Sequence, residues 1–555
     1  MRATIGLDFG TSNTLCAWVD DDQPVIIPNR KGERASPSII AKTANGEILV
    51  GSSAKNHVLT EPLSVLTEIK KKLGKVDKLK FGNAEIDSVE AASVFLKKIK
   101  TESEEYLGFA IKKAVVCVPA RFAEVQRRAV RLAVEKAGME VARIINEPSA
   151  AALARAVLAK NTNSHNVDKL VLVYDFGGGT FDVSLLKESN GQYRVISSEG
   201  DDSLGGTDID KALYKYVAKR FCEEYGVNPE KDMALGLIIM DLCEKTKIEL
   251  SGREEASLAI PFINGPKGLV HPAVSINREQ FNSIIEPIVE RSMELVARVL
   301  KDCSLKPEDI DSLVLSGGSS RIPLVRDGLE KLLGLAAEPR INPEEIVALG
   351  AAIEAARIDG KYPDLEFIDV SSRSFGLELD DGSFVPLIAK NAALPASGKR
   401  LFTTVEDYQQ SVELHVLQSD SLYSTENPCS VGRFLLPGIR YAKKGEARIA
   451  VEFSIDEGDM LLVKARDLDT KSEQSVFLLG GTKEEYPPKY RLGILAKTAI
   501  MKAEGLVLDS ALASELKELT DKAVTMDADN PMAESLAELL EGLISELASR
   551  RMSQE

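Results

Sequence analysis

The chain lacks most of the features that would assign it quickly. No run of about 18 apolar residues, the rough length that crosses a bilayer, occurs in its 555 residues, so no membrane association is expected. Its six cysteines (Cys16, Cys117, Cys222, Cys243, Cys303 and Cys429) are scattered, with no C-x-x-C pair. That excludes a disulfide framework or zinc site and points to reduced thiols in a cytoplasmic protein. The four histidines fall in no metal-binding pattern, and His415 reads as packed or solvated. Positive charge is not in excess: the formal net charge is −16 and there is no long basic run, so nucleic acid is a poor partner. The opening residues Met1 to Gly10 turn acidic and glycine-bearing too soon for a secretory apolar segment. Three nucleotide signatures are missing as well. There is no G-x-x-x-x-G-K-[ST], no His-Arg-Asp, and no G-x-G-x-x-G after the first strand. A P-loop enzyme, a protein kinase and a dinucleotide fold are thereby set aside.

What is present begins with size and balance. With 44% apolar and 28% charged residues, the chain is a globular one long enough for three or four domains. Its most informative feature is an internal echo. Residues 4–14 contain Leu7-Asp8-Phe9-Gly10-Thr11-Ser12-Asn13, and residues 171–183 contain Tyr174-Asp175-Phe176-Gly177-Gly178-Gly179-Thr180. Each is an apolar run, a glycine turn and a returning strand, which predicts two related lobes sharing one site. A strand over 114–119 and a helix over about 123–138 lie between them, an α/β alternation. A third glycine turn, Ser316-Gly317-Gly318-Ser319-Ser320-Arg321, is predicted where a strand ends and a helix begins.

Glycine turns let backbone N–H groups approach phosphate oxygens closely. Thr11, Ser12 and Thr180 add hydroxyl donors, and Asp8 and Asp175 stand where a magnesium ion can be held through its waters. The turn at 317–321 is placed to receive a base or sugar. Together these features predict an actin-like, two-lobed ATP site. Beyond Tyr362-Pro363 the pattern changes. Val412, Leu414 and Val416, then Ile449, Val451, Phe453 and Ile455, alternate with polar or small residues as half-buried strands do. After Tyr486-Pro487-Pro488 the period becomes helical: Met532, Leu536, Leu539, Leu543 and Leu547 form a stripe, with Asn530 as N-cap and Pro531 at the first helical position.

At this point the chain resembles the seventy-kilodalton heat-shock chaperone family, DnaK type. The resemblance rests on Gly6-Leu7-Asp8-Phe9-Gly10-Thr11-Ser12-Asn13, Val118-Pro119-Ala120, Ile144-Ile145-Asn146-Glu147-Pro148-Ser149, Asp175 to Asp182, Leu204-Gly205-Gly206 and Gly317 to Pro323. Ile388-Ala389-Lys390-Asn391 and His415-Val416-Leu417-Gln418 extend it to about residue 480. It implies an α/β actin-like two-lobed ATPase domain (1–363), an interdomain linker (364–370), a β-sandwich peptide-binding domain (371–487) and a short α-helical lid (488–555).

It also implies roles. Asp8 and Asp175 would place Mg²⁺, and Lys70 would contact the γ-phosphate and attacking water. Glu147 and Thr180 would arrange hydrolysis, with Gly10, Asn13, Gly177, Gly178, Gly179, Gly205 and Gly206 along the phosphates. Glu244, Lys247, Ser251, Gly317, Gly318, Ser319 and Arg321 would hold adenosine. Leu377, Leu379, Val405, Val412 and Leu414 would line a groove for extended apolar peptide, although Leu377 and Leu414 read equally as sandwich core. Taken without the resemblance, Lys70 in its lysine triplet reads as a solvated helix face, Glu147 as a helix cap, and Glu244 with Lys247 as a surface pair. The implied ligands are ATP or ADP with magnesium. The implied partners are unfolded client polypeptides and a J-domain co-chaperone at Arg143, Asn146 and Asp369, with room for a nucleotide-exchange factor.

Four departures mark a specialised bacterial member. Glu366 interrupts an aliphatic linker, Asp380 stands where an apolar residue arches over the peptide, the stretch from Lys70 to Pro119 is short, and so is the lid. A small-molecule kinase or an actin-like filament on the same ATPase fold would leave the β-rich and helical C-terminal parts unexplained. A regulator with little hydrolysis is opposed by intact Lys70, Glu147, Asp175 and Thr180.

Overall fold

A computed structural model describes residues 4–158, 168–189, 192–266, 268–338, 342–363, 365–409, 411–420, 429–456, 461–477 and 510–525, with Leu536, Leu539, Leu540 and Leu543. The sequence echo is a structural one. Strand Thr4–Phe9 returns antiparallel as Asn13–Asp20 and pairs in parallel with Lys113–Val118 on its other side. Strand Lys169–Phe176 likewise returns as Phe181–Ser189 and pairs in parallel with Ser312–Ser316. Asp8 and Asp175 therefore occupy equivalent places, each one residue before its strand ends.

Strand alternation sorts the side chains. Ile5, Leu7 and Phe9 enter the first core, while Asp8 on the opposite face lines the cleft. Leu172, Tyr174 and Phe176 do the same in the second core. There the rings of Tyr174 and Phe181 meet edge-on at 4.7 Å, and the Tyr174 hydroxyl pairs with Ser292 Oγ at 2.6 Å. Helices Glu147–Leu158 and Ile346–Ile358 cross between the two sheets, both rich in buried alanine. Gly350 lies against the Ala150 carbonyl, and Gly6 of the first strand lies against the Ala351–Ala352 backbone.

The C-terminal β-rich part is two four-stranded sheets with Leu377, Val416, Leu436, Val451, Phe453 and Val463 between them. The predicted alternation holds through Val416 and then stops. Leu417, Gln418 and Ser419 are all buried, because this end of the strand packs toward the ATPase part. Segment 364–370 is expected as a connector. In the structure Glu366–Ile368 is a β-strand, paired in parallel with Gln192–Asp201 at the edge of the second sheet. Glu366 points outward to Gln192, and Leu365 is buried, so the acidic residue is accommodated without burial. Of the C-terminal helical stripe, Leu536 and Leu543 are buried but Leu539 is exposed; Leu540 takes its place on the buried side. Met532, Leu547, Asn530, Pro531 and most of 488–555 lie outside the described residues, which include one helix there, Ser510–Thr525.

Candidate functional site

The two echo turns face each other across a cavity of about 310 Å³. Their contact explains the glycines. A Cβ on Gly178 would strike the Ser12 side chain, and one on Gly179 would lie 2.6 Å from Thr11 Oγ1. The turns' carbonyls are tied back into the protein. Gly10 O accepts from Ser38 Oγ at 2.7 Å, Gly177 O from Gly206 N at 2.9 Å, and Gly178 O from Thr207 N at 2.7 Å. With the acceptors spent inside, each turn meets the condition for offering N–H donors to an anion.

Lys70 is not on a solvated face. Its side chain is 1% exposed, and Nζ donates to Glu147 Oε1 at 2.5 Å and to Cys117 O at 3.4 Å. The ammonium also sits over the rings of Phe122 and Phe9, at 5.7 and 6.0 Å. Burial alone would lower its pKa, but Glu147 and Asp8 outweigh burial and hold it above the usual lysine range. Glu147 opens its helix, so its carboxylate serves the lysine as well as the helix start. Lys55 reaches across from the first lobe to Glu244 at 2.6 Å, and Lys247 pairs with Asp210 at 2.9 Å. The expected Glu244–Lys247 surface pair is therefore replaced by two separate contacts.

Of the residues singled out, Asp8, Gly10 to Asn13, Lys70, Glu147, Asp175, Gly177, Gly178 and Thr180 line the cavity. So do Glu244, Lys247, Ser251, Gly317, Gly318, Ser319 and Arg321. Gly179, Gly205 and Gly206 do not; they stand behind the wall, where helix Gly206–Tyr225 begins. Gly317 has φ +77° and its Cβ position is filled by the Phe176 carbonyl, so glycine is required there. The following helix starts at Pro323, after a 3₁₀ turn over Gly318–Arg321, and so begins later than expected. Arg321 is held by Glu344 at 2.7 Å and Asn342 at 2.6 Å. The apolar walls Ile248, Pro343 and Val347 carry no motif and were not expected, and Ile322, within the Gly317 to Pro323 motif, joins them without an expected role.

The carboxylates outnumber the cations. Burial, then the charge of Glu147, raises Asp8 from 3.8 to about 7. The same two causes raise Asp182, which is register-paired with Asp175, to about 8. Asp175 is driven well above its ordinary range by burial, Glu147, Asp182 and Asp8, and its Oδ2 has no hydrogen-bond partner. Such a site fits a divalent cation. Among the described residues no three His, Cys, Asp or Glu groups converge as direct ligands, so magnesium would be held through waters and phosphate oxygens.

These shifts carry a prediction. Raised carboxylates bind protons more tightly in the folded than in the unfolded chain. The nucleotide-free protein therefore loses stability as pH rises from about 4 through about 8. Magnesium and nucleotide should remove most of that loss, because the cation then compensates the ionised forms. Thermal melts across this range, with and without Mg-ADP, measure it; parallel pH profiles would refute the electrostatic account.

A second, more open cavity of about 620 Å³ lies on the β-rich part. Leu379, Leu401, Phe402 and Val405 form its apolar wall, with Asp380 and Asp381 beside them. Leu379 is half-buried and Val405 is 41% exposed. Leu377 and Leu414 are buried in the sandwich core instead, and Val412 packs partly against that core. His415 bonds to Glu378 and to Ser430 Oγ, the latter at 2.8 Å.

The β-rich part is bound to the ATPase part by charge. Arg121 pairs with Glu199 at 3.4 Å and with Asp420; Lys390 also reaches Glu199, and Arg373 donates to the Arg121 carbonyl at 3.1 Å. Arg143, Asn146 and Asp369 are all buried in this structure. Arg143 pairs with Glu354 at 2.6 Å, and Asn146 donates to Asp369 at 3.2 Å.

Comparison with known proteins agrees with this geometry. The family model described as Hsp70 protein matches residues 4–486. The chaperone protein DnaK of Thermosipho melanesiensis is 38% identical over 482 residues, covering 86% of this chain and 80% of the relative. That of Thermosipho africanus is 39% identical over the same length and shares. A nucleotide-sized cleft between two echoed lobes, a docked β-rich part and a match along nearly the whole chain lead to one conclusion: the chain belongs to the Hsp70 family.

Proposed function

We propose how the work is divided within this molecule, an ATP-dependent molecular chaperone of the Hsp70 family whose ATPase acts in a chaperone cycle. ATP lies between the echo turns. Residues Gly10 to Asn13 with Gly177, Gly178 and Thr180 bind its phosphates, and Glu244, Lys247, Ser251, Gly317 to Ser319 and Arg321 surround the adenosine. Asp8 and Asp175 orient the waters of a magnesium ion, which supplies positive charge for the phosphates when bound. Lys70, oriented by Glu147, holds the attacking water against the γ-phosphate, and Thr180 stands beside it. Loss of the γ-phosphate removes contacts from both lobes at once and shifts their relative orientation.

One observation carries the coupling: strand Glu366–Ile368 extends the second sheet of the ATPase part. A change in that sheet's orientation is felt directly at the segment leading to the β-rich domain. That domain holds an extended apolar stretch of a client at Leu379 and Val405, by backbone pairing and side-chain pockets. The helical region after 488 covers it. A J-domain co-chaperone engages the surface around Arg143, Asn146 and Asp369 when the domains part, an exchange factor acts on the nucleotide lobes, and the protein works in the cytoplasm. Among the described residues no helix is long and apolar enough to cross a membrane.

The deciding experiment is single-turnover ATP hydrolysis with and without an unfolded polypeptide. Slow hydrolysis that polypeptide accelerates is expected; hydrolysis indifferent to every polypeptide would overturn the coupling. The ion cluster gives a second expectation. Asp420→Asn removes the partner that Arg121 and Arg373 share across the domains. Segment 364–370 should then be cut several-fold faster by a protease at moderate ionic strength, as wild type is at high ionic strength. An unchanged cutting rate would mean that the strand pairing alone holds the docked state.

A further inference from the structure

Two tyrosines on the β-rich part stand face to face in the open. The rings of Tyr408 and Tyr441 are stacked, with centroids 4.7 Å apart and planes 26° from parallel. They are 47% and 67% exposed, and no other two tyrosines among the described residues are in ring contact. Tyr408 lies between strands Ala396–Phe402 and Ser411–Ser419, and Tyr441 between Cys429–Pro437 and Ile449–Ile455. Each therefore stands on a connection from one sheet to the other. The two connections are laced together around the rings. Tyr408 N–H donates to the Ala442 carbonyl at 2.8 Å, Lys444 N–H to Asp407 Oδ1 at 2.9 Å, and Gly445 N–H to the Thr404 carbonyl at 3.1 Å. Tyr408 has φ +58°, a left-handed conformation that a tyrosine keeps only where its surroundings fix it.

We propose that Tyr408 and Tyr441 form a site of oxidative modification, at which a one-electron oxidant (a peroxidase intermediate or a peroxyl radical) joins the two rings as dityrosine. Each phenol gives the oxidant one electron and releases its hydroxyl proton, which leaves a phenoxyl radical with spin at the ring carbons beside the oxygen. One such carbon of each ring forms the new C–C bond. The hydrogen on each of those carbons then leaves as a proton, and each oxygen takes one back, so the pair loses two electrons and two protons in all. With hydrogen peroxide as the terminal oxidant, these reduce one peroxide to two waters. Separate phenoxyl radicals must meet by diffusion, whereas two rings already in contact need only a small turn, which gives the step a high effective concentration. Both connections also carry residues of the second cavity, Thr403 and Val405 on one and Gly445 and Ala447 on the other, so the bond ties two of its walls together. What that cavity holds does not enter the chemistry.

The test oxidises dilute full-length protein with a haem peroxidase and hydrogen peroxide, isolates the monomer by gel filtration and reads dityrosine fluorescence. In its digest, mass spectrometry should find the Tyr408 and Tyr441 peptides joined and lighter by two hydrogens. Tyr408→Phe and Tyr441→Phe keep both rings but lose one phenol, so each should lower the monomer signal about ten-fold or more. Tyr106→Phe is the control: Tyr106 is 58% exposed and touches no other ring among the described residues, so its loss should leave the signal unchanged. Wild type unfolded in urea before oxidation should lose the signal too, because the stacked geometry is then gone. A monomer without dityrosine, a link mapped to other tyrosines, a signal that survives both Phe variants, or equal signals from the folded and unfolded chain would each overturn the proposal.

Discussion

Lys70→Ala should slow single-turnover ATP hydrolysis by about two orders of magnitude or more, the scale seen when one charged group aimed at a transition state is removed. The lysine donates to Glu147, and its charge also lowers Asp8 and Asp182. Without it, the buried carboxylates face the γ-phosphate uncompensated, or take up protons and lose their ability to orient water. ATP should still bind, because the turns and the adenosine wall do not depend on this side chain; a fluorescent-nucleotide titration checks that separately. The adjacent lysine is the control. Lys71 lies 3.7 Å from Asp208, half-buried, outside the cavity lining, so Lys71→Ala should hydrolyse within about two-fold of wild type. Equal hydrolysis by the two variants would remove Lys70 from the mechanism.

That pair of lysines shows what was legible in the sequence. Three lysines in a row carry no sign of which one is buried, since that depends on Cys117, Glu147 and two phenylalanine rings distant in the chain. The glycine turns were legible because close backbone approach demands glycine, and the same demand recurs in both lobes. Gly205 and Gly206 were matched by motif, but they support Gly177 and Gly178 from behind and do not touch the cavity. Leu377 and Leu414 were ambiguous for a physical reason: alternation says a side chain is half-buried, not which side of the sheet holds the groove. Strand Glu366–Ile368 is three residues long, too short for any period, and its partner Gln192–Asp201 is far away in sequence. The Arg121–Asp420 and Lys390–Glu199 pairs leave no local trace for the same reason.

The largest stability effect should come from one methyl group. At Gly350 an added Cβ would overlap the Ala150 carbonyl, a backbone atom that cannot rotate away. Gly350→Ala must therefore push helix Ile346–Ile358 off helix Glu147–Leu158, in a region where both are almost wholly buried. Overpacking of this kind costs up to about 3 kcal/mol, and more where backbone is the obstacle. The damage should reach function, because Glu147 opens one helix and Val347, on the other, lines the cavity. Val347 also accepts from Cys117 Sγ at 3.8 Å, the residue whose carbonyl holds Lys70. Nucleotide affinity should fall at least about ten-fold as the two lobes lose their common seat, since each 1.4 kcal/mol of displaced contacts is roughly a factor of ten. Gly252→Ala is the contrast, because a Cβ there meets open space and its φ is ordinary; it should melt at or slightly above the wild-type temperature. If Gly350→Ala instead melts and binds nucleotide like wild type, the helix crossing is not what holds the site together. The Lys70–Glu147 pair would then have to be positioned from the first lobe alone.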